Sequence, residues 1–331
     1  MIFITSYPLA VLFCVLAMIF WGSWQNSRNF INANWRFELF YWDFITGVLI
    51  MSFLAAVTVG SMGTIGHTFW QSCAQADYTY ILYAMLGGLL WNIGTLLLVA
   101  GISISGMATA FPVGGGIAWL LGILVNYIGA PEGNLTYIVI GGVSIAVAII
   151  ICAISYKKLL GNTSAGNFKG VVLAAVAGVL IAFFYRFVAI SLVSDYANPE
   201  EGKLTPLTGV FYFCLGAFLS TFVINPVVMM KPFKGEPVTF SQYFAAPSKN
   251  HLIGIIGGMV WCMGMVFSFM ASGTAGYTIS YAVSNGAPVV AALWGILVWK
   301  EFNGAPKGTN TLLIFMFLFY LIGLGLIIMA K

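Results

Sequence analysis

Ten apolar runs, each near the length that crosses a bilayer, follow one another with only short polar breaks. They cover roughly residues 7–26, 37–60, 79–100, 103–128, 134–156, 170–194, 206–229, 251–271, 275–299 and 309–330. A crossing needs about 20 apolar residues, and every backbone polar group inside lipid must find its partner within the protein. Only helices and closed barrels meet that demand. These runs lack the two-residue alternation of a barrel strand, so they predict ten membrane-spanning helices. Charge content agrees: 7% of the residues are charged, against about 25% in a soluble domain, too few to coat a globule. The first run ends in Trp21-Gly22-Ser23-Trp24 rather than a small-residue cleavage site, and it reads as the first span, not a signal peptide. The longest break, about residues 229–250, is read as a loop.

The chain also repeats itself. A shift of about 170 residues lays Gly87, Gly88, Trp91 and Gly94 on Gly257, Gly258, Trp261 and Gly264, and Gly106 and Gly116 on Gly276 and Gly286. A few residues of slippage then align the GILV segments starting at Gly122 and Gly295. A matched Trp inside a matched GGxxWxxG is not an accident of apolar composition, so the chain reads as a duplication. Residues 1–156 form the first half and 157–331 the second, with five spans each. Five is odd, so the second half must insert upside down. The fold class expected is therefore all-α integral membrane, ten transmembrane helices as two inverted five-helix repeats, the plan of many secondary transporters. In that plan the solute binds near the midplane, beside Gly- and Pro-interrupted spans at matching positions. Span 4, with Pro112 and Gly114 to Gly116, and span 9, with Asn285, Gly286 and Pro288, make such a pair.

Basic residues set the orientation. Arg28, Arg36, Lys157, Lys158, Lys169, Lys231, Lys234, Lys249, Lys300 and Lys307 all fall on one side of the ten-span plan, while the other side holds Lys203 and Lys331. Under the positive-inside rule the first side is cytoplasmic, and both termini are expected outside the cytoplasm, at the cell (inner) membrane. The net charge of +4 is thus a matter of topology and no footprint of nucleic acid.

WG near the end of span 1, GGxxWxxG in span 3, FPVGGG in span 4 and Lys300-Glu301 after span 9 resemble the drug/metabolite transporter superfamily. Within it the chain is similar to the branch of glucose/ribose porters, rhamnose–proton symporters and ureide permeases. The resemblance covers essentially the whole chain, but its motifs are diffuse. It implies a cavity built by spans 1–4 and 6–9, with spans 5 and 10 peripheral.

Several residues are candidates to line such a cavity. Trp91 and Trp261, matched by the repeat, offer flat faces for a sugar or a heterocycle. Asn92 and Gln25 add amides, and span 9 adds Tyr277, Tyr281, Ser284 and Asn285, of which the first three share one helix face. Lone Ser and Thr hydroxyls equally serve helix–helix hydrogen bonds, and most membrane Trp are interfacial anchors; Trp70, Trp119, Trp294 and Trp299 are read that way. Charge inside a bilayer is costly, which singles out Arg186, deep in span 6, as a substrate contact and Asp43, in span 2, as a proton-coupling site. Glu38 reads as a solvated helix-start acid, and His67 and His251 as surface residues.

The five cysteines stand apart, and nothing suggests a disulfide framework, a metal site or a cofactor. There is no nucleotide-binding loop, HExxH or nucleophile–base motif, which argues against an enzyme and an ATP-driven pump. The partners expected are a small-molecule solute, the lipid bilayer and protons. The sequence favours uptake of a small neutral polar solute, a monosaccharide first. A ureide, nucleobase or nucleoside is second, and drug or metabolite export third.

Overall fold

The structure, a computed structural model, describes residues 3–31, 35–63, 66–160, 167–196 and 198–331. Ten helices are long and apolar enough to cross a membrane. They are α1 (Tyr7–Ser23), α2 (Phe37–Val57), α3 (Tyr78–Ser105), α4 (Met107–Gly129), α5 (Leu135–Leu160), α6 (Phe168–Ser191), α7 (Pro206–Met230), α8 (Ser248–Ala275), α9 (Tyr277–Val298) and α10 (Thr309–Ile328). Among the described residues the only strand-like pairing is one bridge between Leu192 and Leu204. The chain is an all-helical, multi-pass membrane protein.

Three local features depart from the sequence expectation. First, α1 does not simply stop: it tightens into a 3-10 segment, Trp24–Phe30. Second, α9 is interrupted at Asn285 and Gly286, and its last turn, Trp294–Val298, is a π-helix. The span α4, by contrast, is continuous over Met107–Gly129 although Pro112 lies inside it. Third, the breaks after α2 and α7 each hold a short helix, Phe69–Gln75 and Phe240–Phe244, started by the same capping box, Thr68 with Gln71 and Thr239 with Gln242. TFWQ and TFSQ carried that signal in the sequence.

Glycines let the helices touch backbone to backbone. A methyl group at Gly88 would strike the Phe213 carbonyl, and one at Gly258 the Phe44 carbonyl. Likewise Gly216 lies against Met85, and Gly47 against Ile255. Each pair is one contact with the two halves of the chain exchanging roles. The link between α3 and α4 is the single residue Gly106 at φ 78°, and that between α8 and α9 is Gly276 at φ 86°. Both need the left-handed region that only glycine enters freely.

Asn92 ties three helices together. Its Oδ1 accepts from the Tyr41 hydroxyl at 2.6 Å, and its Nδ2 donates to Ser220 Oγ at 2.7 Å and Thr221 Oγ1 at 3.1 Å. Asn92→Ala strands a buried tyrosine hydroxyl, so it is expected to lower stability by about 1–3 kcal/mol, read as an earlier melt of the purified protein in detergent. An unchanged melt would show that the knot does not hold α2, α3 and α7 together.

Candidate functional site

A cavity of about 500 Å³ opens at the end of the bundle that carries Arg28, Met107 and Glu301. One wall is the 3-10 segment after α1, which presents the amides of Gln25, Asn26 and Asn29 and the guanidinium of Arg28. Aromatic side chains, Trp35, Phe37 and Trp299, line the same cavity. Thr95 of α3, Phe111 of α4 and Tyr156 of α5 complete the ring. Lining residues thus come from the first half of the chain, from α9 and from Trp299 and Glu301 just after it. That departs from the implied plan at α5, whose Tyr156 reaches the cavity, and at α6 to α8, which give it no lining residue.

The tighter 3-10 turn sets the wall's chemistry. It puts Asn26 where its Oδ1 accepts from Trp299 Nε1 at 2.5 Å and its Nδ2 donates to the Ser23 carbonyl at 3.0 Å. Asn26 therefore holds the π-turn of α9 against the end of α1, while Gln25 keeps its amide open to the cavity. Arg28 lies over the rings of Phe37 and Phe40, 5.4 and 5.9 Å from their centroids. The ion pairs among the described residues do not include it; the nearby carboxylate, Glu38, is taken by Arg36 at 2.6 Å. Arg28 was counted in the sequence only as a topological charge, and Trp299 only as an anchor. Both line the cavity because α1 and α9 change helical pitch at their ends, which hydropathy does not report.

Above this cavity the bundle is closed by rings. Trp91 meets Trp261 with centroids 4.1 Å apart, Trp21 stacks on Trp261 at 6.0 Å, and Phe213 lies against both Trp91 and Trp261 at 5.8 and 6.2 Å. Trp21 Nε1 donates to the Trp261 carbonyl at 3.1 Å. Trp91 lies one turn deeper in α3 than the cavity residue Thr95, so the ring stack is the cavity's deep end. Trp91 and Trp261 are almost fully buried. Asn92, Tyr281 and Ser284 are buried too; Tyr281 packs against Phe184 and Tyr185, and its hydroxyl donates to the Ala118 carbonyl at 2.6 Å. Asn285 spans the break in α9, its Nδ2 donating to the Tyr281 carbonyl at 2.9 Å.

Arg186 and Tyr277 lie elsewhere, in a second pocket of about 430 Å³ at the opposite end, with Glu132, Lys203 and Ser272. Asp43 is in neither pocket. It is 3% exposed under the Phe240–Phe244 helix, where Tyr243 Oη donates to its Oδ1 at 2.6 Å and His251 Nδ1 lies 3.0 Å from both carboxylate oxygens. His251 is therefore no bare surface residue: its partner comes from another helix, and no sequence spacing reveals the pairing. Glu38, likewise, is buried against Arg36 rather than solvated. Among the described residues no cluster of His, Cys, Asp and Glu is fit to hold a metal.

A protein-family model described as ureide permease matches residues 153–331. Ureide permease 1 of Arabidopsis thaliana is 21% identical, over 97% of this chain and 97% of its own length. Ureide permease 2 from the same plant is 22% identical over 97% of this chain and 96% of its own. A probable glucose uptake protein of Bacillus cereus is 24% identical over 67% of this chain and 70% of its own. One crystal structure superposes with a TM-score of 0.61 over 97% of this chain and 96% of the other, at 19% identity, and so shares the fold.

Proposed function

The chain belongs to the ureide permease family, and from that premise we propose that it is a secondary transporter which takes up a small neutral polar solute of the ureide class through the cavity at its basic end. One observation carries this reading: amides and a guanidinium on Trp24–Phe30 share one cavity with the aromatic side chains of Trp35, Phe37 and Trp299. A ureido group is planar, with a carbonyl that accepts and N–H groups that donate. Stacked on an aromatic face, it meets Arg28 through its carbonyl and the Gln25 amide through its N–H edge. Monosaccharide uptake is the second reading, favoured by the similarity to the glucose uptake protein, and the same wall serves hydroxyl groups.

The exchanged glycine contacts and the two capping boxes support an inverted repeat of residues 1–156 and 157–331. In that plan the basic end is cytoplasmic, both termini face away from the cytoplasm of a cell membrane, and the structure is inward-open. Trp91 and Trp261 then close the deep end of the cavity, and Asn92, Tyr281, Ser284 and Asn285 hold that closure in shape. The pocket of Arg186 and Tyr277 is the entrance used in the outward-open form. Asp43 carries a coupling proton.

The test is uptake of labelled allantoin, uracil, glucose and ribose into proteoliposomes, with and without an inward proton gradient. Gradient-dependent accumulation of allantoin is expected; accumulation of glucose or ribose alone moves the assignment to the second reading, and none at all overturns both. For the solute that accumulates, Gln25→Ala is expected to raise KM about threefold to tenfold, the effect of one hydrogen bond. An unchanged KM would remove Gln25 from the site.

A further inference from the structure

Asp43 does not stand alone, and its surroundings say more than that an acid is present. Its carboxylate comes from α2, the imidazole of His251 from the first turn of α8, and the hydroxyl of Tyr243 from the short helix between α7 and α8. Trp35 packs against both partners, with ring centroids 5.7 Å from His251 and 6.3 Å from Tyr243, and the same Trp35 lines the cavity. The cluster is thus one side chain away from the solute's space. His251 is 24% exposed at its side chain, so the buried carboxylate has a path to water through the imidazole.

The other half of the chain shows that the fold does not require this cluster. At the opposite end, the helix Phe69–Gln75 docks after α2 as Phe240–Phe244 does after α7. There, among the described residues, no carboxylate or imidazole takes part. That helix is seated by uncharged groups: Ser72 Oγ accepts from the Thr205 N–H at 3.1 Å, and Gln75 Nε2 donates to the Lys203 carbonyl at 2.6 Å. An acid and an imidazole at the basic end are chemistry beyond seating.

We propose that the coupling proton is held jointly by Asp43 and His251, and that Tyr243 links its binding to the docking of the Phe240–Phe244 helix beside the cavity. This rests on the proton-coupled reading of the site. In the unloaded cluster, Asp43 is ionised and accepts from Tyr243 Oη–H and from Nδ1–H of a neutral His251. One proton from water adds at Nε2 of His251 and gives an imidazolium–carboxylate pair with the same two bonds. Transfer of the Nδ1 proton to the carboxylate gives a neutral acid beside a neutral imidazole, a form in which charge no longer holds Tyr243 in place. Release to water reverses the addition.

Other charged groups on the elements around the cluster are otherwise engaged or further off. On α2, Glu38 is bound to Arg36, and Arg36 also donates to the carbonyls of Lys234 and Glu236. Lys249 precedes His251 on the outer side of α8 and is exposed, and Arg28 lies on Phe37. Among the described residues, the partners bonded to the Asp43 carboxylate are Tyr243 and His251.

The experiment compares wild type, Asp43→Asn, His251→Gln and Tyr243→Phe in proteoliposomes, with labelled allantoin and labelled glucose as probes. It measures the ratio of proton-gradient-driven accumulation to solute-for-solute exchange. That ratio is expected to fall at least tenfold in both D43N and H251Q. Tyr243→Phe leaves both proton-holding groups but cuts their link to the Phe240–Phe244 helix, so its ratio is expected to fall between those of wild type and D43N; a normal ratio would remove Tyr243 from the coupling. A driven wild type with a sensitive D43N but an H251Q of normal ratio overturns this inference alone. A wild type that ignores the gradient overturns it together with the coupling reading. A second measurement needs no solute: the tryptophan emission that Trp35→Phe removes from the purified protein, the other nine tryptophans being common to both, is expected to step with pH in wild type and to lose that step in H251Q. A step that persists in H251Q overturns the assignment.

Discussion

Gly258→Ala is expected to cost about 3 kcal/mol of stability, the upper range for overpacking a close contact. The added methyl meets the Phe44 carbonyl oxygen and crowds the Val48 amide nitrogen at 2.8 Å. Both are backbone atoms of α2, so no side-chain rotation relieves the clash and α2 must move away from α8. That movement pulls at the layer where Phe44 meets Trp261 edge-on and Trp91 at a tilt. Gly88→Ala makes the same clash at the Phe213 carbonyl of α7 and is expected to cost as much. The double variant is expected to lose the folded, monodisperse form on size exclusion in detergent. Gly142→Ala is the control, since nothing lies within 4 Å of its added Cβ. It is expected to be neutral, or to gain a little from helix propensity. A Gly258→Ala protein that melts with the control would show that α2 and α8 do not depend on their close approach.

Those two glycines also mark how far the sequence could be read. The ten spans, their order and the matched GGxxWxxG are visible because burial in lipid fixes length and composition, and because close packing fixes glycine. The stack of Trp91 on Trp261 follows from the same match. What stays hidden is where a helix changes pitch or where a loop folds back. Gln25 was legible as a polar residue next to an aromatic at the end of a span, but Arg28 was not separable from the other basic loop residues, since only the 3-10 turn carries it into the cavity. The pair Asp43–His251 joins residues far apart in the chain, and no periodicity links them. Its nearest sequence signal was TFSQ, which caps the helix that brings Tyr243 over the acid. The burial of Asn92 and Tyr281 is hidden for a further reason: amides and phenols that knot helices together have the same composition as those that bind a solute.

Arg28→Ala is expected to lower kcat/KM for uptake about tenfold to a hundredfold, the worth of a hydrogen bond from a charged donor, about 1.5–3 kcal/mol. The effect falls on transport rather than stability because the guanidinium is exposed to the cavity and its neighbours are ring faces, not an ion-paired carboxylate. Arg28→Lys separates the two solute readings. Lysine keeps the charge but loses the planar fork and the flat stacking on Phe37. A planar ureido carbonyl that uses the fork is expected to lose about tenfold in kcat/KM, whereas a sugar hydroxyl, which accepts from a single donor, is expected to change less than threefold. Uptake kinetics of allantoin and glucose by wild type, R28K and R28A decide between them. Full activity of R28A toward every transported solute would place the binding wall elsewhere and leave Arg28 as a charge that only orients the chain in the membrane.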